Sequence, residues 1–429
     1  MGTSPSSPPF TNRQALDRLK LDRLNRLLAD ILPANRFYAA RFAGKSAVLS
    51  SLEELAGLPF TTKADLVEGF GSAGMANQSW PADRYVRFHQ TSGSHGRPLP
   101  VWDTAADWQW WLDCWRHIYA RAGLQPGDGV FVAASFGPYI GFWSGFDAAI
   151  AAGGRAIPSG GLSTVARLEL LRATAPAILL ATPSYALRLA EVAAETGLDA
   201  AGSSVRCVVV AGEPGGSVPA VRQRIAAAWG ADVLDHAGAT EIGPWGVGVV
   251  SGPGLEVIED WFHPEFLRLE EGTPAADGEL AELVITTLGR AGCPVIRYRT
   301  GDVVRPRWPT AEELSAGGSP WVRLEGGVLG RADDMLVVRG VNVFPSAIDN
   351  IVRGFPEIVE YRLTVGRQGS LDSLALEIED QLNAPDRIAR ELQVRLGLRV
   401  EVEVVPSGSL PRFEGKGRRV VDKRTGDGL

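Results

Sequence analysis

The sequence predicts an α/β protein with two domains: a large N-terminal domain of mixed and parallel sheets with helices, and a small α+β C-terminal domain. Three observations carry this prediction. The chain has 429 residues, 45% hydrophobic and 22% charged, which is enough to bury a sizeable core. Apolar runs alternate with helical patterns between residues 128 and 300. Beyond residues 331–334 the predicted strands and helices become shorter and form a separate group.

Two helices are predicted before the alternating region. Residues 13–31 carry leucines and an isoleucine at helical spacing between arginines and aspartates, which is typical of an amphipathic helix. Residues 104–122 form the second helix, and its apolar stripe consists of Trp108, Trp111, Leu112 and Trp115. Rings at this spacing usually face a core, and stacking on a ligand is the alternative.

Continuous apolar runs that end at Gly, Ser or Pro predict strands buried on both faces. They lie at 129–134, 177–181 and 205–210. Helical patterns rich in Ala, Leu and Arg lie between or after them, at 163–174, 184–196 and 218–229. This alternation predicts a sheet that contains parallel strands.

The rest of the chain predicts antiparallel strands and a second domain. Residues 279–287 and 294–305 have the pattern of antiparallel strands, and 306–320 indicates a surface insertion. A domain boundary is expected at 331–334, after an N-terminal domain of residues 1–330. The C-terminal domain, 335–429, is expected to contain strands at 335–338, 361–365, 373–377 and 399–405 and helices at 345–353 and 384–396.

Composition excludes several classes of protein. The formal charge of −7 disfavours general binding to nucleic acid or to anionic membranes. Three cysteines (114, 207 and 293) indicate neither a disulfide framework nor a metal site, so a reducing, cytoplasmic setting is expected. The first ten residues lack the pattern of a signal peptide, and no apolar run reaches the length of a membrane span. Only five of the 43 basic residues are lysines, at positions 20, 45, 63, 416 and 423.

Six polar or glycine-rich segments are candidates for chemistry. In chain order they are 90–98, 210–214, 234–241, 297–302, 330–345 and 411–419. The first offers hydroxyls and backbone N–H groups that suit phosphate oxygens. The second and third follow buried strands, at the edge where open α/β sheets bind ligands, and Glu241 suits a divalent cation. Taken alone, segments of this kind are usually ordinary turns or polar loops.

Two single residues stand out in the later segments. Asp302 follows a tight glycine turn, where a carboxylate can accept two hydrogen bonds from a ribose diol. Lys416 lies between glycines, which suits a cation delivered to a reacting phosphate on a flexible loop. A solvated basic tail is the alternative for Lys416 and its neighbours.

Jointly, in this order, the six segments resemble the adenylate-forming superfamily of acyl-CoA synthetases, most closely its phenylacetate–CoA ligase branch. The resemblance spans residues 50–424 and is densest at 181–185, 212–214, 294–302 and 333–345. It implies that a carboxylic acid attacks the α-phosphate of Mg·ATP to give an acyl-adenylate and pyrophosphate. The small domain then swings, and the thiol of coenzyme A displaces AMP.

The resemblance also implies roles for individual residues. Phosphate binding is expected at Thr91, Ser92, Gly93, Ser94, Gly96 and Arg97. Adenine is expected to contact Gly212, Glu213, Pro214, Asp235, His236, Ala237 and Thr240. Glu241 is expected to bind Mg²⁺ and Asp302 the ribose. Arg331, beside the hinge, is expected to bind the nucleotide and to act in catalysis together with Glu241 and Lys416, and Asp333 is expected to be the pivot of the hinge. Lys416 is expected to bridge the substrate carboxylate and ATP during adenylation, where one cation near two developing negative charges is effective.

Two departures from the family pattern concern ATP binding. Ala237 stands where a tyrosine usually stacks on adenine, and His95 replaces a small hydroxyl residue. Neither change removes an essential charge, so activity is expected. A catalytically inactive nucleotide-binding homologue is the alternative, and residues 243–265 offer no Cys/His set for zinc.

The acid is expected to lie in a flat slot built of rings and glycines, which suits an aromatic acid. Its expected lining is Phe136, Tyr139, Gly141, Ser159, Gly160, Gly161, Ala211 and His236. Tyr139, Ser159 and His236 could bind a ring hydroxyl or amine, or could serve ordinary packing and backbone hydrogen bonds. The expected partners are the aryl acid and CoA, with a carrier-protein pantetheine or an amine as the other acceptors, in a monomer or homodimer.

Overall fold

The computed structural model describes residues 12–32, 34–68, 76–91, 98–249, 252–338, 341–368, 371–411 and 419–424. Contacts divide the chain into two compact units, Met1–Val328 and Leu329–Leu429. Each unit is described by itself below. In the described part of the chain, no helix is long and apolar enough to cross a membrane.

The first unit contains nine helices among its described residues, besides two short 3₁₀ turns. They are α1 (Arg13–Ile31), α2 (Arg36–Arg41), α3 (Lys63–Glu68), α4 (Ala105–Arg121), α5 (Ile140–Ala151), α6 (Thr164–Thr174), α7 (Pro183–Glu195), α8 (Pro219–Trp229) and α9 (Ala311–Ser315). Its strands are β1 (Tyr85–Gln90), β2 (Pro100–Thr104), β3 (Gly129–Val132), β4 (Arg155–Pro158), β5 (Ile178–Ala181), β6 (Cys207–Ala211), β7 (Asp232–Ala239), β8 (Gly243–Gly248), β9 (Leu255–Val257), β10 (Phe262–Arg268), β11 (Ala281–Thr287), β12 (Tyr298–Val304), β13 (Pro306–Arg307) and β14 (Arg323–Leu324).

The opening helix has the predicted bounds. It begins at the cap residue Asn12, whose side chain accepts a hydrogen bond from the Ala15 N–H at 2.8 Å. Its leucine face is buried, as the periodicity predicts. Lys20 lies on the same buried face, where its ammonium is 2.6 Å from a carboxylate oxygen of Glu259. The helix is therefore attached to the body by apolar packing and by one buried ion pair.

Helix α4 confirms the core interpretation of the tryptophan stripe. It begins with a capping box in which Thr104 and Asp107 satisfy each other's backbone N–H groups. Trp108, Trp111 and Trp115 are all buried in the largest apolar cluster. Packing against the sheet, rather than a ligand, accounts for the position of these rings.

The largest sheet has nine strands in the order β13-β14-β9-β8-β7-β6-β5-β3-β4. Strands β4, β3, β5, β6 and β7 run parallel, and β8, β9, β14 and β13 continue the sheet antiparallel. Val130 and Val132 face the cluster that contains α4, whereas Phe131 faces the cluster that contains α7 and α8. The parallel strands are therefore buried on both faces, which explains their continuous apolar runs.

A second sheet is antiparallel, as predicted for residues 279–305. Strand β11 pairs with β10 on one side and with β12 on the other. The segment 306–320 is exposed over most of its length, as predicted for a surface insertion, and its first two residues form β13, which pairs with β14 at the edge of the large sheet. Pro306 fits this edge position because proline donates no backbone hydrogen bond.

The second unit is a small α+β structure. Its elements are β15 (Gly330–Arg331), β16 (Leu336–Val338), β17 (Val341–Val343), α10 (Pro345–Val352), β18 (Ile358–Gln368), β19 (Leu371–Asp380), α11 (Pro385–Leu396), β20 (Glu401–Val404) and β21 (Val420–Asp422). Its four-stranded sheet has the order β20-β19-β18-β21. Ile348 of α10 and Ile388 of α11 are fully buried in the core formed with β18 and β19. The antiparallel pair β18 and β19 is longer than predicted.

Candidate active site

Polar side chains gather after the carboxyl ends of β6 and β7. The two strands run parallel and in register, so that Ala211 lies opposite His236. Gly212 follows β6 with φ of +92°, a conformation that glycine adopts readily. The predicted adenine segments are therefore neighbours at one edge of the sheet.

Glu213 is attached to the start of helix α7. Its carboxylate accepts a hydrogen bond from the Ser184 N–H at 2.7 Å. The N-terminus of a helix has unpaired N–H groups and a positive dipole end, so a carboxylate is stabilised there. The Glu213 side chain thus braces the 212–214 loop against α7.

Asp235 lies beneath the loop that precedes α8. Its carboxylate accepts hydrogen bonds from the Ser217 hydroxyl and, at 3.1 Å, from the His236 N–H. A Cβ at Gly216 would lie 2.5 Å from the carboxylate, so only glycine fits there. Burial raises the pKa of Asp235 to about 6, although the bond from Ser217 opposes the rise. The predicted contact of Asp235 with the adenine amino group stays a prediction.

His236 is a buried, neutral side chain with a defined tautomer. Burial lowers its pKa to about 4. Its Nδ1 is 2.8 Å from the Gly246 carbonyl, so Nδ1 carries the proton and Nε2 is left as an acceptor. The ring centroid lies 4.5 Å from that of Trp115. This geometry gives the edge of the sheet one hydrogen-bond acceptor next to an aromatic wall.

Glu241 lies in the turn between β7 and β8. The hydroxyl of Tyr298 donates to its carboxylate at 2.9 Å, and Tyr298 is itself buried. Thr240 and Glu241 both use their carbonyls as acceptors for Arg290, at 3.1 and 3.0 Å. The carboxylate is thereby held in one place while its residue remains partly exposed.

The donor set at this turn fits magnesium that is bound together with phosphates. Among the described residues there is no group of three or more His, Cys, Asp or Glu side chains that could enclose a metal ion. Mg²⁺ commonly binds one or two carboxylates and completes its shell with water and substrate phosphates. A single positioned carboxylate such as Glu241 satisfies this requirement.

Asp302 lies in β12, one residue after a glycine in the left-handed conformation. Gly301 has φ of +73°, and the Asp302 N–H donates to the Thr300 hydroxyl at 2.9 Å. Thr300 in turn donates to the Leu283 carbonyl at 2.7 Å. The backbone that carries Asp302 is therefore anchored to β11.

The predicted phosphate segment is described only at its edges. Thr91 is buried, its N–H donates to the Leu99 carbonyl at 3.0 Å, and its hydroxyl accepts from the Leu99 N–H at 2.9 Å. These bonds join the ends of the segment beside β1 and β2. Ser92, Gly93, Ser94, Gly96 and Arg97, with His95, lie outside the described residues. Lys416 also lies outside them.

The predicted acyl-binding residues have different surroundings. Phe136 packs against Trp143 and Phe146, with ring centroids 4.6 and 5.5 Å apart. A Cβ at Gly141 would meet no atom within 4 Å, so there is open space beside this glycine. Tyr139 is 51% exposed.

The Ser159 hydroxyl has a structural partner. It donates to the Val132 carbonyl at 2.8 Å, and the residue is buried. Of the two alternatives for this residue, the backbone hydrogen bond is the one present. Gly160 lies against Phe136, where a Cβ would be 3.1 Å from the ring, and Gly161 has φ of +79°.

In the second unit, Arg331 and Asp333 form an ion pair. Arg331 Nε and NH2 donate to the two oxygens of Asp333 at 3.0 and 3.2 Å. Both side chains are exposed to solvent over more than a third of their area. The predicted hinge residues are thus linked to each other.

Comparisons with known proteins identify the family of the chain. Residues 340–424 match the family model described as the AMP-binding enzyme C-terminal domain. The chain is 35% identical to the phenylacetate-coenzyme A ligase of Escherichia coli K12, with 87% of this chain and 86% of that protein covered. It is 32% identical to the same-named enzyme of Thermus thermophilus, with 96% and 97% covered.

The chain belongs to the phenylacetate-CoA ligase family of adenylate-forming enzymes. It is an AMP-forming acid–thiol ligase. The solved structure of 2-hydroxyisobutyryl-CoA ligase in complex with 2-HIB-AMP has 28% identity and a TM-score of 0.88, covering 99% of this chain and 95% of that one. An anthranilate CoA ligase, at 17% identity and a TM-score of 0.59, shares the fold. The predicted fold class and family are confirmed.

The sequence did not single out Arg290 and Asp103, which lie beside the candidate site. Both are completely buried, and Arg290 contacts the backbone of the Glu241 turn. Neither lies in one of the six candidate segments. The sequence shows only that each is a charged residue within an apolar stretch. Nothing in the sequence indicates that these two residues, 187 positions apart, form a pair.

Proposed function

We propose that this chain uses Mg·ATP to activate an aromatic carboxylic acid and transfers the acyl group to coenzyme A. A carboxylate oxygen attacks the α-phosphorus of ATP, and the bond to the β-phosphate oxygen breaks, releasing pyrophosphate. The thiol sulfur of CoA then attacks the acyl carbon. The bond to AMP breaks, and the thiol proton leaves to solvent. The observation that carries this proposal is the near-complete match to phenylacetate-coenzyme A ligases through both units of the chain.

We assign parts of the nucleotide to named residues of two sheets: Glu241 follows β7 of the large sheet, and Asp302 lies in β12 of the antiparallel sheet. Glu241 would hold Mg²⁺, and Asp302 would accept hydrogen bonds from the ribose. Bound magnesium would neutralise charge on the phosphates and orient them for in-line displacement. Adenine would lie against the 212–214 loop. Thr240 and Ala237 would lie near it, and the small Ala237 offers no ring for stacking.

The acyl slot is assigned to the region between α5 and the ends of β6 and β7. Phe136, which packs against Trp143, supports a flat aromatic ring in this slot. His236 Nε2, a neutral acceptor, supports an acid that carries a hydroxyl or amino donor. An unpaired donor or acceptor in a dry pocket is costly, so the acceptor would discriminate among ring substituents.

The second unit is assigned the adenylation lysine and the hinge. Lys416 would bridge the carboxylate and the ATP oxygen, and Arg331 with Asp333 would lie at the pivot. We place the N-terminal domain at 1–330, the hinge at 331–334 and the C-terminal domain at 335–429. The two half-reactions, adenylate formation and thiolysis by CoA, need different groups at the acyl carbon. This requirement supports a C-terminal domain that moves between them.

The test is pyrophosphate release with a panel of phenylacetate, benzoate and their hydroxy and amino derivatives, each with and without CoA. We expect aryl acids to release pyrophosphate, and CoA to convert the acyl-adenylate to a thioester. Fatty acids with the same number of carbon atoms are the control substrates, and we expect them to release little pyrophosphate. Release of pyrophosphate with fatty acids alone would refute the aromatic assignment. An adenylate that CoA never discharges, but that an amine or a carrier-protein pantetheine does, would refute the acceptor assignment.

A further inference from the structure

A completely buried ion pair lies beneath the turn that carries Glu241. Arg290 and Asp103 both have side chains that are 0% exposed, and Arg290 NH2 is 2.7 Å from Asp103 Oδ1. Arg290 Nε donates to the same oxygen at 2.8 Å, and Trp111 Nε1 donates to it at 3.2 Å. Taking two charges out of water is expensive, so such a pair is weak evidence for a role in stability alone.

The other end of the Arg290 guanidinium contacts the turn. NH1 donates to the carbonyls of Thr240 and Glu241, at 3.1 and 3.0 Å. These two peptide groups set the direction in which the Glu241 side chain leaves the backbone. The carboxylate itself accepts the Tyr298 hydroxyl at 2.9 Å. Arg290 thus restrains the backbone of Glu241, and Tyr298 restrains its carboxylate.

Asp103 connects this turn to the segment assigned to phosphate. Asp103 lies in β2, and β2 pairs with β1, whose last residue Gln90 directly precedes Thr91. The pairing of Gln90 with Pro100 places the base of that segment three residues from Asp103 along β2. The ion pair therefore joins two parts of the nucleotide site that are far apart in the sequence.

We propose that the Asp103–Arg290 pair positions the magnesium-bound nucleotide, by holding the Glu241 turn in register with the β1–β2 hairpin. Both residues are positioning residues, because they act through Glu241 and through the hairpin. The inference rests on the proposed function, in which Glu241 binds the metal. Residues that orient a metal ligand without touching the metal commonly change metal affinity by about 10- to 100-fold.

The experiment measures binding by calorimetry, with Mg·ATP and, in the presence of EDTA, with ATP alone. We expect Arg290→Met to weaken Mg·ATP binding about 10-fold and to leave metal-free ATP within about 2-fold. Excess Mg²⁺ should recover part of the loss, and Arg290→Lys should bind with intermediate affinity. Arg290→Met leaves Asp103 buried without its partner, so the double variant Asp103→Asn/Arg290→Met removes both charges. The double variant should show the same selective loss of Mg·ATP binding.

Arg121→Met is the matched control, because Arg121 makes equivalent contacts at the other end of β8. It donates to the Gly248 carbonyl at 3.2 Å and pairs with the Glu256 carboxylate. We expect this variant to lower thermal stability without changing the preference for Mg·ATP over ATP.

Glu241→Gln separates the inference from the proposed function. If Glu241→Gln leaves Mg·ATP binding unchanged, Glu241 is not the metal ligand, and both the proposed role of Glu241 and this inference are refuted. If Glu241→Gln weakens Mg·ATP binding while both Arg290 variants bind as the wild type does, the metal ligand stands and the positioning role is overturned. Equal losses of Mg·ATP and ATP binding in the Arg290 variants would also overturn it, because they indicate a merely structural role.

Discussion

The buried pair of Lys20 and Glu259 makes a quantitative prediction about stability. Both side chains are 0% exposed and their charged atoms are 2.6 Å apart, and Arg13 also contacts the carboxylate. Burial by itself raises the pKa of Glu259, but Lys20 and Arg13 outweigh it and lower the pKa from 4.5 to about 2. At ~1.4 kcal/mol for each pH unit between those values, folding is about 3 kcal/mol more favourable when the Glu259 carboxylate is ionised than when it is protonated. Because the folded pKa is depressed, this contribution is complete above pH 4.5 and is lost as the pH falls towards 2.

We expect Lys20→Met to lower the free energy of unfolding of the first unit by about 3 kcal/mol at pH 7, since the buried Glu259 carboxylate loses its ammonium partner and keeps only Arg13 and the Val322 N–H. The assay is urea unfolding followed by tryptophan fluorescence. All 12 tryptophans lie at or before position 321, so the signal reports on the first unit only. The exposed Lys45→Met is the control and should change the unfolding free energy by less than about 0.5 kcal/mol.

The pH dependence decides whether the reasoning about this pair is correct. The wild-type protein loses the stabilisation from ionised Glu259 as the pH falls below 4.5. In the variant the pKa of Glu259 is less depressed because Lys20 is absent, so less stabilisation is lost over the same pH range. The difference in unfolding free energy between them should therefore narrow between pH 6 and pH 3.5. A difference under about 1 kcal/mol at pH 7, or one that stays constant over this pH range, would refute the account.

Three further predictions concern the site. Lys416→Ala should abolish pyrophosphate release and leave thiolysis of a supplied acyl-adenylate largely intact; equal loss of both half-reactions would show that the adenylation role is wrong. Ser159→Ala should lower stability by about 1 kcal/mol, measured by thermal unfolding, with little change in KM for the acid, because its hydroxyl donates to the Val132 carbonyl. Gly141→Val should raise KM for aryl acids while leaving KM for ATP unchanged, because the valine side chain would extend into the open space beside residue 141, where the slot is proposed. An unchanged KM for every acid would show that Gly141 does not line the slot.

The elements that depend on local pattern are the ones that the sequence predicts well. Helix α1 has the predicted bounds, and α4 lies within one residue of them, because both have an unbroken apolar period and a capping side chain. The buried parallel strands are equally visible in their continuous apolar runs. Strand β13 is different, because it joins the large sheet only through its pairing with β14 and a two-residue strand leaves no periodic signal.

Within the site, the sequence shows which chemical group each residue carries, but it does not show that group's hydrogen-bond partner. Glu213 has an evident carboxylate, yet only the fold brings it to the N-terminus of α7. Ser159 could have faced a ligand or a carbonyl, and the tertiary structure gives it the Val132 carbonyl. The tautomer of His236 likewise depends on the carbonyl of Gly246 in the adjacent strand.

The lysines illustrate the same division. In a chain whose basic residues are almost all arginine, the sequence marks both Lys20 and Lys416 as unusual. Lys416 belongs to a motif of the family, so its role is proposed from sequence. Lys20 belongs to no motif, and its buried bond to Glu259 is visible only in the structure.

Apolar periodicity and the order of motifs lie along the chain, so the fold class, the family and the available chemical groups can be predicted from the sequence. Which of these groups meet depends on the fold. Asp103 and Arg290 join β2 to the Glu241 turn across 187 positions. Such a contact is set by how sheets and helices pack together, and packing depends on the whole chain at once.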